Sequence, residues 1–177
     1  MRVLVFGSRN LTTRHFWLMR LVLHHSMLAD PLPDLETFLR TSGMDAQELA
    51  LLPDTESLVL INGDGPPGKQ RGAIGADKLA VLAASDVWPD RKRMRWHEVM
   101  PGPGEDWGTA AVRRDLEMAE DSPDRCYCVH TDLDASKGSA VAARALSRLS
   151  IPLNYVRVTQ AGALVSVQLR LGEGTRS

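Results

Sequence analysis

The chain predicts a doubly wound α/β domain: a mostly parallel sheet of five to six strands with helices on both faces. Short apolar runs recur along it, helical patterns fall between them, and the connections are short. Alternating units of this kind force neighbouring strands to run parallel and place the helices over both faces of the sheet. At 177 residues the length suits one domain better than two.

The elements follow in order. Arg2 to Phe6 is a buried strand by its Val and Leu content, and Gly7 permits a tight turn and close approach by a ligand. Thr12 or Thr13 caps a helix whose apolar face runs from Phe16 to Met27, with His24 and His25 near its end in helix-end and surface roles. Asp30-Pro-Leu-Pro-Asp34 breaks that helix. Residues 30–55 read as an insertion holding one or two short helices, with Ser42-Gly43 as a break.

Ser57 to Ile61 is the second strand. Asn62 to Gly72 is a loop rich in glycine and proline, and Ala73 to Ser85 is a helix with Ile74, Leu79, Ala80, Leu82 and Ala83 facing inward. Trp96 to Met100 reads as the third strand, Thr109 to Asp121 as a helix and Arg125 to Thr131 as the fourth strand. Asp132 to Ser139 forms a loop before a helix through Leu149. Leu153 to Val158 is the fifth strand, and a further strand at 163–171 is added at the C-terminal end.

Charge is close to balanced, with 21 Lys plus Arg against 22 Asp plus Glu, so no overall field draws the chain to nucleic acid. Arg91-Lys-Arg-Met-Arg95 is the densest basic run, and it reads as a solvated face. No stretch is long and apolar enough for a membrane span, and the first residues resemble a strand and not a signal peptide, which together predict a cytoplasmic protein. Cys126, Cys128 and His130 alternate on one strand face. Positions i and i+4 on a strand lie about 13 Å apart, too far to share one metal, so a buried core face is expected and no metal site.

Function is read from the loops. In a doubly wound sheet every strand-to-helix loop emerges at one edge, so Gly7-Ser8-Arg9, Asn62 to Gly75 and Thr131 to Ser139 are predicted to meet there. Gly-rich backbone at helix starts supplies N–H groups for phosphate, and Arg9 adds a permanent planar charge. Gly63 to Lys69 also fits the opening of a triphosphate-binding loop. Gln70 stands where that motif needs Ser or Thr, and the next helix starts too late, so triphosphatase chemistry is not expected. Asp132 and Asp134 can hold ribose hydroxyls or a hydrated magnesium, or they can cap the following helix.

Val3 to Arg9, Gly75-Ala-Asp77, Trp107 and Ser136-Lys-Gly-Ser139 together resemble the SLOG superfamily of Rossmann-like nucleotide-ligand proteins, and within it the YspA-like branch. The resemblance spans about residues 2–158 apart from 30–55. Asn62-Gly63 and Gly75 to Asp77 match the two ends of that branch's second loop, and Arg114-Asp115-Leu-Glu-Met118 approximates its Arg-Asn-x-x-Met pattern.

The resemblance implies a nucleotide or nucleotide-derived signal bound by Gly7, Ser8, Arg9, Asn62, Gly63, Asp64, Gly75, Asp77, Trp107, Arg114, Asp132, Lys137, Gly138 and Ser139. Arg9 and Lys137 would hold phosphate, Gly63 and Gly138 would supply backbone donors, and Trp107 would stack on a base or pack. Asp77 would face the site or brace its loops. Related phosphoribohydrolases carry a glutamate in the fourth-strand motif, and here that position falls on Ala142. An alanine cannot polarise water, so binding is expected over cleavage. Asp64, Asp132 and Asp134 remain as candidate acids for the alternative, a phosphoribohydrolase-like enzyme acting on a nucleoside monophosphate. Self-association into a homo-oligomer is also implied.

Overall fold

The computed structural model describes residues 1–41, 51, 58–63, 68–69, 71–88, 92–97, 100–132 and 137–172. Six strands form one sheet: β1 (Arg2–Gly7), β2 (Leu58–Asn62), β3 (Lys92–Trp96), β4 (Arg125–His130), β5 (Leu153–Val158) and β6 (Leu164–Arg170). Their order is β3-β2-β1-β4-β5-β6. All pairs are parallel except β5 with β6, which is antiparallel. This is the doubly wound Rossmann-like order, in which the chain leaves the middle of the sheet in opposite directions from β1 and β4.

The two faces are covered separately because β1 alternates. Val3 and Val5 join the larger core half with α1 (Phe16–His25), α2 (Leu35–Arg40) and α3 (Ala76–Val87). Leu4 and Phe6 face the smaller half, where Met118 and Ala119 of α4 (Trp107–Glu120) and Ala142, Ala145 and Leu146 of α5 (Lys137–Arg148) pack. Cys126 and Cys128 lie in that second half, as their alternation predicts, and burial pushes both thiols well above their ordinary pKa.

Several expectations are corrected. The third strand is Lys92–Trp96 and not Trp96 to Met100, so most of the basic run lies on a strand, with Arg95 exposed. An edge strand tolerates charge because its outer side has no strand to pair with. His25 is not a surface residue but fully buried: its Nε2–H donates to the Pro33 carbonyl at 3.1 Å and its Nδ1 accepts from the Tyr127 hydroxyl at 2.9 Å. Burial holds the His25 pKa below the ordinary value. Leu82, assigned inward, is exposed. Of the predicted insertion, α2 is present and residues 42–50 and 52–55 lie outside the described residues. Lys137, Gly138 and Ser139 belong to the first turn of α5 and not to the loop before it.

The buried His25–Tyr127 pair carries a direct test. Tyr127→Phe leaves Nδ1 without its donor and is expected to cost about 1 kcal/mol, read as a lower urea midpoint at unchanged slope. A midpoint equal to the parent's removes the hydrogen bond from the account.

Candidate functional site

β1 ends at a crossing point. Gly7 pairs with Val129 of β4, and the Ser8 N–H donates to the Val129 carbonyl at 3.0 Å. A Cβ on Gly7 would sit 1.8 Å from that carbonyl oxygen, so the close approach that Gly7 permits is to a neighbouring strand. From there the chain runs through a capped turn. Thr12 caps Thr13–His15, a single 3-10 turn, and His15 donates through Nε2 to the Thr159 carbonyl at 3.0 Å.

The predicted convergence of loops can be followed bond by bond. Gly68 N–H donates to the Arg9 carbonyl at 2.8 Å, Ala76 N–H to the Ser8 carbonyl at 3.1 Å, and Gly75 N–H to the Leu11 carbonyl at 3.0 Å. These tie the second loop to the first. The Ser8 and Thr131 hydroxyls lie 3.2 Å apart and tie the first to the end of β4. The cleft they enclose has a volume of about 670 Å3 and lies at the carboxyl ends of β1 and β4, where the sheet order reverses.

Of the predicted residues, Gly7, Ser8, Arg9, Asp77, Arg114, Asp132, Gly138 and Ser139 line this cleft. Asn62 does not: it is buried, and its Nδ2 donates to the Asp77 carbonyl at 2.9 Å, bracing α3. Gly63 also acts from behind, through its carbonyl, which accepts from Arg114 at 2.7 Å. It therefore supplies an acceptor to the protein where a donor to the ligand was expected. Gly75 opens α3 without lining the cleft. Trp107 is 69% exposed at the start of α4 and neither lines the cleft nor packs. Asp64 and Asp134 lie outside the described residues, as does the side chain of Lys137.

Sequence reasoning missed the floor of the site. Asp106 caps α4 by accepting from the Gly108 and Thr109 N–H groups, which sets the helix so that Ala110, Arg114 and Met118 share its buried side. Arg114, expected to contact the ligand, is buried beneath the cleft. Its neighbour Arg113 is exposed and pairs with Glu105 and Glu117. Arg114 instead grips Asp115 Oδ1 with Nε at 3.0 Å and Nη2 at 2.6 Å.

Asp115 is 2% exposed, and among the described residues its Oδ2 has no hydrogen-bond partner. That oxygen lies 3.2 Å from where a Gly138 Cβ would be, at the amino end of α5. Burial raises the Asp115 pKa more than the Arg114 charge and hydrogen bonds lower it. Met118 and Gln160 are further lining residues that sequence reasoning missed, whereas Lys69 and Thr131 belong to the loops expected to meet here. The available signal was the spacing of Ala110, Arg114 and Met118, which puts an arginine on a helix's inward side.

The fold and cleft define a Rossmann-like α/β protein with a polar site at its topological switch point. No protein-family model, curated protein or solved structure matches the chain. Among the described residues no helix is long and apolar enough to cross a membrane.

Proposed function

We propose that the chain binds a nucleotide or nucleotide-derived signalling molecule in this cleft, as a sensor or sequestering protein of the SLOG and YspA-like type. One observation carries the reading. At the switch point a cleft of about 670 Å3 gathers Arg9, the Ser8 and Thr131 hydroxyls and the amino end of α5 at Gly138 and Ser139, a donor set suited to phosphate. Asp132 on the same rim is an acceptor suited to sugar hydroxyls. Lys69, beside Gly68, adds a second cation.

A second reading has its own observation. A phosphoribohydrolase-like activity needs an acid, and Asp115 meets two requirements that Ala142 cannot: a carboxyl group with an unengaged oxygen, and a raised pKa that favours its protonated form. Asp64, Asp132 and Asp134 are the other candidate acids. Self-association belongs to the same proposal, with Trp107, Val112 and Leu116 exposed on α4 beside Met100, and light scattering on the purified chain reads it.

The test is mass spectrometry of small molecules released from freshly purified protein, followed by calorimetric titration of nucleoside monophosphates. A nucleotide is expected in the released fraction. Arg9→Ala is expected to weaken binding at least about tenfold through loss of a charge-assisted contact. Unchanged affinity in that variant removes Arg9 from the site. Release of free base on incubation moves the conclusion to the enzyme, and absence of any nucleotide binding overturns both readings.

A further inference from the structure

A second recess, about 260 Å3 in volume, opens over β4, β5 and β6 at the same end of the sheet. The register shows how it is built. His130 on β4 pairs with Arg157 on β5, which pairs with Ser166 on β6, and one row further in Tyr155 pairs with Gln168. Directly paired residues project from the same face. Cys126, Cys128, Leu153 and Tyr155 on that face are packed into the smaller core half, so the polar row stands where that core ends. The Arg170 guanidinium lies 4.1 Å from the centre of the Tyr155 ring, which holds its plane over the sheet.

Two guanidinium groups, Arg157 and Arg170, and one carboxylate, Asp132, line this recess. Among the described residues neither Arg157 nor Arg170 is ion-paired with a carboxylate. A guanidinium keeps its charge at any ordinary pH, so the two arginines leave the recess with a net positive charge beside the single carboxylate. Its planar fork also matches phosphate oxygens. Asp132 lines both this recess and the main cleft, so the two are contiguous there. A carboxylate at the junction repels phosphate and accepts from hydroxyls. The order along the sheet edge is therefore anion-favouring, hydroxyl-favouring, anion-favouring.

We propose that this recess is a second anion subsite, with Arg157 and Arg170 as its cationic arms and Ser166 and Gln168 as neutral donors, which takes a second phosphoryl group of the ligand held in the main cleft. The inference rests on the nucleotide reading and narrows it: the ligand class is a nucleotide with two separated phosphoryl groups or an extended phosphate. Where the phosphoryl groups are separated, the sugar between them lies against Asp132.

Calorimetry with AMP, ADP and adenosine 3′,5′-bisphosphate on the full chain and on Arg157→Gln/Arg170→Gln tests it. Both arginines are exposed, and circular dichroism checks that the variant is folded. At least one of the two larger ligands is expected to bind the parent about tenfold more tightly than AMP. That gain is expected to vanish in the variant while AMP affinity changes less than about twofold. Equal affinities for all three in the parent overturn the subsite, as does a gain that survives in the variant.

If none of the nucleotides binds, the nucleotide reading fails and inorganic phosphate decides the subsite alone. Saturable shifts of the Ser166 and Gln168 amide resonances in the parent and not in the variant uphold an anion site for free phosphate. Absence of those shifts overturns it.

Discussion

Gly7→Ala is expected to destabilise the protein by about 3 kcal/mol or more, enough to remove a large share of the stability of an ordinary domain. The added Cβ would lie 1.8 Å from the Val129 carbonyl oxygen and 2.7 Å from its carbon, both backbone atoms of the neighbouring central strand. No rotamer relieves this, because the obstacle is not a side chain. Either β1 and β4 separate at the switch point, or the Ser8 N–H to Val129 hydrogen bond breaks. Both outcomes move Ser8 and its contact with Thr131, so ligand affinity is expected to fall with stability. Gly72 provides the control. Its φ of 76° also favours glycine, but nothing lies within 4 Å of a Cβ there, so Gly72→Ala is expected to cost only about 1 kcal/mol. Equal urea midpoints for the two variants contradict the steric account.

Arg114→Ala is expected to cost about 3–5 kcal/mol at neutral pH, because it leaves Asp115 as a buried carboxylate without the cation that is hydrogen-bonded to it. The Gly63 carbonyl loses its donor at the same time. The sign with pH follows from the raised Asp115 pKa. The folded state binds the proton more tightly than the unfolded state, so this carboxyl's contribution is fully present below the ordinary aspartate pKa and is lost as pH rises through the folded value. Removing Arg114 takes away the largest influences that lower that pKa, leaving the weaker one of Arg9, so the variant is expected to lose stability with rising pH over a wider range than the parent. Arg114→Ala/Asp115→Asn replaces the stranded carboxylate with a neutral amide and is expected to recover part of the loss. Urea midpoints taken from acid to neutral pH measure this. A pH profile parallel to the parent's, or a double variant no more stable than Arg114→Ala, contradicts the burial argument.

How much was legible follows from what each residue type responds to. β1 and β2 are apolar runs rich in Val, Leu and Ile, β4 is buried along its whole length, and β5 runs Leu153–Val158 as expected. β3 was displaced because an edge strand is selected by pairing, and Lys92–Trp96 carries its charges where only one neighbour packs. The convergence of three loops was legible because the α/β order alone sends them to one edge. The individual roles were not. Asn62 and Gly63 have the composition of ligand-binding residues yet spend their polar groups inside the protein, on Asp77 and Arg114. Asp115 was hidden for the opposite reason: a charged residue on a helix is ordinarily solvated, and only the packing of α4 on the sheet buries this one.

The turn between β5 and β6 gives one wall of the cleft a mechanical character. Gln160 stands on that wall, and the turn around it is closed by Thr159 N–H to the Ala163 carbonyl at 2.8 Å and Gly162 N–H to the Thr159 carbonyl at 3.0 Å. His15 fastens the same turn to the 3-10 segment after β1, and Gly162 lies so close that a Cβ would come 2.5 Å from the Arg14 carbonyl oxygen. A wall anchored to the sheet on one side and to the first crossover on the other cannot swing outward unless several bonds open together. That side of the cleft is a fixed jaw, whose width is set by the fold before anything enters it.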